Sequence, residues 1–181
     1  LKDFGAATAS NGAVGLYHID KLTPEAKEQG EALVKENAKV YVIDDAELES
    51  VKNNYPVIWK KKDAKPKLCF LGCPHMSLEQ LKTWTVNVER SLKEAGNAKV
   101  LIPTVFTAAP AVLKEFEKTE YAARLKKTGV ITSYICPLMY MNNPLCGKMP
   151  VITSSNKLRT YTTARYYTDE EILVKITKGG N

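Results

Sequence analysis

The clearest change in the pattern of apolar and polar positions falls between residues 67 and 96. Residues 67–72 are an apolar run of strand length. From Leu78, apolar residues return at Leu81, Val88 and Leu92, which predicts an amphipathic helix over residues 78–95 closed by Gly96. Between the two lies Gly72-Cys73-Pro74-His75, read as a sharp corner because proline fixes its own φ and pushes the preceding residue out of the helical region. Ser77 then opens the helix, and Gln80 three residues later completes a capping box. A thiol and an imidazole are thereby expected just past the carboxyl end of a strand, the edge at which open α/β sheets bind ligands.

The same alternation continues on either side. Upstream, residues 4–18 are small and mostly apolar, which allows close approach of another backbone or a ligand, and Thr23-Pro24-Glu25 starts a mainly polar helix. Residues 39–43, with Val40-Tyr41-Val42-Ile43, predict a strand, and Asp44-Asp45 can cap a helix over 46–54. Downstream the pattern predicts a strand at 99–102 stopped by Pro103, and a helix over 108–127 with Gly129 just beyond it. Strands follow at 130–134 and 149–153. A last helix at 169–178 is opened by the capping box Thr168…Glu171 and closed by Gly179-Gly180. Strand alternating with helix gives an α/β fold, a largely parallel sheet of about five strands with helices on both faces. Two parts are expected: residues 1–38, a small-residue segment and helix packing on a missing part of a parent protein, and residues 39–181, the α/β domain. The opening Leu1-Lys2-Asp3 carries neither an initiator Met nor a signal pattern, so the chain is expected to be an excised piece.

Composition narrows the class. The chain has 181 residues, 44% hydrophobic and 25% charged, which is globular rather than disordered. No apolar run reaches the length of a membrane span, so no membrane role is expected. The net charge of +6 raises nucleic acid as a partner, but the lysines are dispersed. The densest group, Lys60-Lys61-Lys62 with Lys65 and Lys67, shares its loop with Asp63 and Pro66 and reads as a solvated loop. An anionic small molecule suits a mildly basic protein equally well, and no nucleic acid is expected. Four cysteines, none in a C-x-x-C pair, argue for a reducing, cytoplasmic setting rather than a disulfide scaffold.

A parallel sheet would gather its chemistry at the rim of strand ends. Cys73-Pro74 and Cys136-Pro137 occupy equivalent corners after different strands. Thiolates so placed feel helix amino-terminal amides, which lower their pKa and suit them to zinc, copper(I) or iron–sulfur clusters. Either cysteine can instead be a small buried hydrophobe; Cys69, mid-strand, reads as one, and Cys146 is read against a ligand role. Ser154-Ser155-Asn156-Lys157 is either an anion cradle with a group for proton transfer or a simple helix cap. His75, beside Cys73, is a better candidate than His18. Arg159, Arg165 and Tyr161 could complete a carboxylate clamp or lie on the surface.

Phe70-Leu71-Gly72-Cys73-Pro74-His75, Ser77-Leu78-Glu79-Gln80-Leu81, Cys136-Pro137 and Thr153-Ser154-Ser155-Asn156-Lys157…Tyr161, in that order, resemble the catalytic part of aconitase X. Ala9-Ser10-Asn11-Gly12-Ala13-Val14-Gly15-Leu16-Tyr17-His18-Ile19 and Thr23-Pro24-Glu25-Ala26 resemble the same family in the same order. The resemblance covers essentially the whole chain and corresponds to the carboxyl-terminal half of the family's catalytic part.

It implies a hydro-lyase whose known members act on mevalonate 5-phosphate or cis-3-hydroxy-L-proline, with iron or an iron–sulfur cluster as Lewis acid and a small swivelling domain or subunit closing the site. Cys73 and Cys136 match the family's cluster ligands, the third being expected outside this chain. Ser155 and Lys157 match its Thr-Asn-Ser-x-Lys turn and are expected to be catalytic. Ser154, Asn156, His75, Ser10 and Asn11 are expected to face the hydroxy-acid substrate. This chain departs from the turn by carrying Ser154 in place of the usual Asn, and Asn156 before the Lys. The piece alone is expected to be inactive. Two other readings compete: a non-catalytic α/β module binding an anionic metabolite or a partner protein, and a thiol enzyme using Cys73 with His75.

Overall fold

The structure, a computed structural model, describes residues 1–179. The chain packs as two units. One comprises Leu1–Ala7 with the chain from Val57 onward; the other is Thr8–Pro56. The sequence reading placed its division between residues 38 and 39.

The smaller unit holds the end of α1 (Lys2–Gly12), then α2 (Pro24–Gln29) and α3 (Asp45–Asn53). Residues 4–12 of the small-residue stretch are thus helical. Thr23 and Ala26 are its buried residues. Asp44 caps α3 by accepting a hydrogen bond from the Glu47 amide at 2.8 Å, the role expected of it. The strand expected at 39–43 does not form. Val40, Tyr41, Val42 and Ile43 are 64–88% exposed and belong to no sheet. Residue shape favours a strand there, but β propensity stabilises only against a partner strand.

The larger unit carries a five-stranded sheet, ordered β3-β2-β1-β4-β5 with every pair parallel. β1 (Leu68–Met76) is central and leads to α4 (Leu78–Ala95). β2 (Thr104–Ala108) is followed by α5 (Pro110–Glu117) and α6 (Glu120–Lys127), and β3 (Ile131–Ser133) by α7 (Pro137–Met141). β4 (Val151–Thr153) leads to α8 (Asn156–Tyr161), and β5 (Arg165–Tyr166) to α9 (Asp169–Thr177). The α/β class and the five parallel strands expected from the sequence are present, but membership differs.

The second strand begins after Pro103 rather than ending before it. The proline carbonyl accepts from the Cys69 amide at 2.9 Å, and a proline at a strand's first position costs no ladder bond. Residues 99–102 instead bond to helix ends, Val100 N to Thr128 O and Leu101 N to Ile176 O. The expected helix over 108–127 is two, broken at Lys118-Thr119. β5, only two residues long, had no periodicity to reveal it. The last helix ends at Thr177; Gly180, part of its expected terminus, lies outside the described residues.

Alternation along β1 divides the core. Cys69 and Leu71 join Leu81, Val88 and Leu92 of α4, Phe106 of β2, Phe116, Leu125, and Ile172 and Ile176 of α9. Leu68, Phe70 and Cys73 join Met141 of α7, Val151, Leu158 of α8 and Ala164. Helices therefore pack on both faces. Each fully buried large aliphatic side chain contributes ~1.5–3 kcal/mol by leaving water, which is why α4 is held by three of them.

β1 and α4 meet at the capping box read from the sequence. Ser77 Oγ accepts from the Gln80 amide at 3.1 Å, and Gln80 Oε1 accepts from the Ser77 amide at 3.0 Å. Gly96 closes α4 in the left-handed region, φ 69°. Lys2 adds a clasp, its ammonium donating to Gln80 Oε1 and to the His75 carbonyl, both at 2.6 Å. Ser77→Ala should lower stability by ~1 kcal/mol, the usual worth of an N-cap side chain, read as a shift of the urea midpoint at unchanged slope.

Candidate functional site

The expected corner at residues 72–75 is an irregularity inside β1. Leu71 pairs with Phe106, and the next paired residue, Met76, with Ala108, so Gly72–His75 bulge out of the ladder. Gly72 makes this possible. Its φ is +107°, and a Cβ there would lie 2.3 Å from the Thr107 carbonyl oxygen and 2.6 Å from Thr107 Oγ1. Thr107 in turn donates from Oγ1 toward the carbonyls of Gly72 (2.7 Å) and Leu71 (3.3 Å), tying the bulge to β2. The Cys73-Pro74 bond within it is cis.

The bulge forms one wall of a cavity of about 90 Å³ at the carboxyl ends of β1 and β4. Strand order reverses direction between these neighbours, the usual place for a ligand in such a sheet. Gly72, Cys73, Pro74, Ser154, Ser155 and Asp169 are among its lining residues. Ser155 is fixed from three sides. Its Oγ donates to the Cys73 carbonyl and accepts from the Leu158 amide at 3.0 Å as the N-cap of α8, and its own amide donates to Thr153 Oγ1 at 3.1 Å. The expected cap and the expected pocket residue are therefore one and the same.

Cys73 is 6% exposed, and Cys136, the N-cap residue of α7, is near enough for its thiol to act on that of Cys73. Loops leaving β1 and β3 thus carry the two cysteines into one neighbourhood. Burial, the largest influence, pushes the Cys73 thiol above its ordinary pKa; Cys136 adds to this, while the Ser155 hydroxyl and the Lys157 ammonium oppose it. The sequence-level expectation of a lowered Cys73 pKa is corrected here. Residues 73–76 continue the strand, and desolvation of the buried thiol prevails.

Two adjacent sulfurs, both soft donors, fit part of an iron or iron–sulfur ligand set. No cluster of three or more His, Cys, Asp or Glu suited to a metal occurs among the described residues. Cys69 lies buried near the start of β1, its thiol pushed up by burial and by Asp169, as a packed hydrophobe would be. Cys146 packs beside the second core cluster.

The other expected residues are placed as follows. Ser154 lines the cavity. Asn156 begins α8, and its Oδ1 accepts from Arg159 Nε at 3.2 Å. His75 is half-buried with Nε2 enclosed and unpartnered, and burial, then Lys2, holds its pKa below the ordinary value. The groups acting on the Cys73 thiol are Ser155, Cys136 and Lys157, not His75, so the thiol–imidazole couple of a cysteine enzyme is not assembled. The clamp of Arg159, Arg165 and Tyr161 is not assembled either: Arg159 serves Asn156, Arg165 stacks near Trp59 and Tyr167, and Tyr161 is 59% exposed. Ser10 and Asn11 lie on α1 within the smaller unit, Ser10 half-buried and Asn11 exposed. Thr107, Asp3, Trp84 and Asp169 had not been singled out. Thr107 sits in a run with no polar periodicity, and Asp169 reads only as a first-turn helix acid.

Comparison with known proteins adds sequence and fold. Residues 1–53 match the family model described as Aconitase X second domain. The phosphomevalonate dehydratase large subunit of Thermococcus kodakarensis is 30% identical over 112 residues, 62% of this chain and 26% of that protein. The protein of the same name from Methanosarcina mazei is 28% identical over 159 residues, 75% of this chain and 36% of its own length. A crystal structure of Thermococcus kodakaraensis aconitase X in its holo-form superposes with a TM-score of 0.73 at 23% identity, over 97% of this chain and 43% of that one. The chain thus spans well under half the length of the relatives it matches.

Gly72→Ala should destabilise the larger unit by on the order of 3 kcal/mol, since it meets both backbone overlap and a disfavoured φ. Chemical denaturation measures this; an effect under about 0.5 kcal/mol, the range of ordinary surface substitutions, would contradict the close approach.

Proposed function

We propose that this chain, related by sequence and fold to aconitase X, forms part of a hydro-lyase that dehydrates a hydroxylated anionic small molecule. The observation that carries the reading is the approach of Cys136 to Cys73, from loops after different strands, with Cys73 and Ser155 both lining the cavity. The relatives' name, phosphomevalonate dehydratase large subunit, supports both the reaction class and a phosphorylated hydroxy acid as substrate. The words large subunit also support a smaller partner subunit, to which we assign the swivelling closure of the site. With less than half of its relatives' length, this chain by itself would be inactive. A cytoplasmic location suits its free thiols, and no helix among the described residues is long and apolar enough to cross a membrane.

Dehydration removes a proton from the carbon beside an acidifying group and hydroxide from the next carbon, leaving an alkene and water. Cys73 and Cys136 would hold iron or an iron–sulfur cluster, with a third ligand from outside this chain, and that centre supplies a Lewis acid for the departing hydroxide. Ser155 is assigned the proton transfer. Its Oγ is already oriented by the Leu158 amide, and the positive charge of Lys157 is felt at the adjacent Cys73. Lys157 also offers a cation to the substrate's anionic group. Ser154 is assigned to substrate through its place in the wall, with Asn156 and His75 as further proposed contacts.

Anaerobic reconstitution of the full-length protein with iron and sulfide tests the ligands. The Cys73→Ser, Cys136→Ser double variant should lose most bound iron; retention at the parent level would favour a non-catalytic anion-binding module. Ser155→Ala, at unchanged iron content, should lower kcat by ~10²–10⁴-fold, the usual worth of positioned acid–base catalysis. An unchanged kcat would remove Ser155 from the mechanism.

A further inference from the structure

A second cavity, far larger than the first, has no part in this chemistry. It measures about 880 Å³, within the range of small-molecule sites. Lys65 and Pro66, leading into β1, and Leu101 and Ile102, leading toward β2, form one side. These residues precede β1 and β2, whereas Cys73 and Ser155 follow the carboxyl ends of the paired parts of β1 and β4. Arg165, Tyr167 and Lys175 form another side.

Two cations converge there on one ring. The Lys175 ammonium lies 4.4 Å and the Arg165 guanidinium 5.0 Å from the Tyr167 ring centroid. Arg165 also lies 5.7 Å from the Trp59 ring and donates to the Lys62 carbonyl at 3.3 Å. Carboxylates also line the cleft, from Asp63, Glu170 and Glu171, but Glu171 is engaged in the capping box of α9, accepting from the Thr168 amide at 2.8 Å. Neither Arg165 nor Lys175 forms an ion pair among the described residues. Burial and the Arg165 charge hold the Lys175 ammonium below its ordinary pKa, with Glu171 offsetting only part of this. Like charges held together beside apolar walls form a receptor for negative charge attached to an apolar body.

We propose that this cleft binds a small organic anion, its carboxylate or phosphate group held by Arg165 and Lys175 and its apolar part against Pro66, Ile102 and Val174. The ring of Tyr167 keeps the two cations in place, so the site is formed before the ligand arrives.

The test is titration of the full 181-residue chain, carrying Trp84→Phe so that Trp59 beside Arg165 is its one tryptophan, with hexyl phosphate, hexanoate, hexanol and inorganic phosphate, followed by the fluorescence of Trp59. At least one of the two hexyl anions should give a saturable change, and the tighter one identifies the preferred head group. Hexanol and inorganic phosphate, each lacking half of the recognition, should bind at least ~10-fold more weakly. Arg165→Gln and Lys175→Gln should each weaken the anion by ~10-fold, while Lys175→Arg retains it. Circular dichroism of each variant separates lost binding from lost fold. Hexanol binding as well as the anions, anion binding that survives both glutamine substitutions, or no saturable response with any probe would overturn the proposal.

Discussion

The contact between the Gly72 backbone and Thr107 is the constraint on which the rest of the site depends. β1 and β2 run in register up to Leu71 and Phe106, and a regular continuation would point residues 72–76 alternately into the two cores. Because position 72 has no Cβ, β2 can close on it, and Thr107 Oγ1 ties the two carbonyls that begin the bulge. The extra length of chain leaves the ladder there, and Cys73 moves to where Ser155 and Cys136 can reach it. Any side chain at 72 would force β2 or the bulge to give way, and the pocket wall with it.

Burial and charge then compete at Cys73. Taking the thiol out of water disfavours the thiolate that metal binding needs, and this outweighs the Ser155 hydroxyl and the Lys157 cation. A bound cation would reverse the balance, since a coordinating thiol is deprotonated outright. The same groups that fail to activate Cys73 unaided are thus suited to hold it as a ligand. This separates it from the activated cysteine of a thiol enzyme, as does the absence of His75 from its partners.

What could be read from the sequence was whatever rests on local rules. Both capping boxes, the Asp44 cap, the glycine ends of α4 and α6, and the face of α4 were legible because they depend on residues three or four apart. The order of the rim loops followed from alternation of strand and helix, so the neighbourhood of Cys73, Ser155 and Cys136 could be anticipated. What failed depends on partners distant in the chain. Residues 39–43 have the side chains of a strand but no strand beside them, whereas β5, with Arg165 and Tyr166, is too short to show any alternation and pairs with β4 all the same. Thr107 was invisible because its role is to fill the space left by a glycine 35 residues away. The sign of the Cys73 shift was misjudged because sequence shows neighbours along the chain but not depth.

The central claim is that Cys73 and Cys136 stand side by side, and thiol oxidation in the metal-free chain measures this most directly. Treatment with diamide followed by peptide mapping should recover a Cys73–Cys136 disulfide in preference to any pair involving Cys69 or Cys146. If both thiols stay separately alkylatable after oxidation, or Cys136 pairs with Cys146 instead, the two loops do not share a mouth and the metal-site account fails.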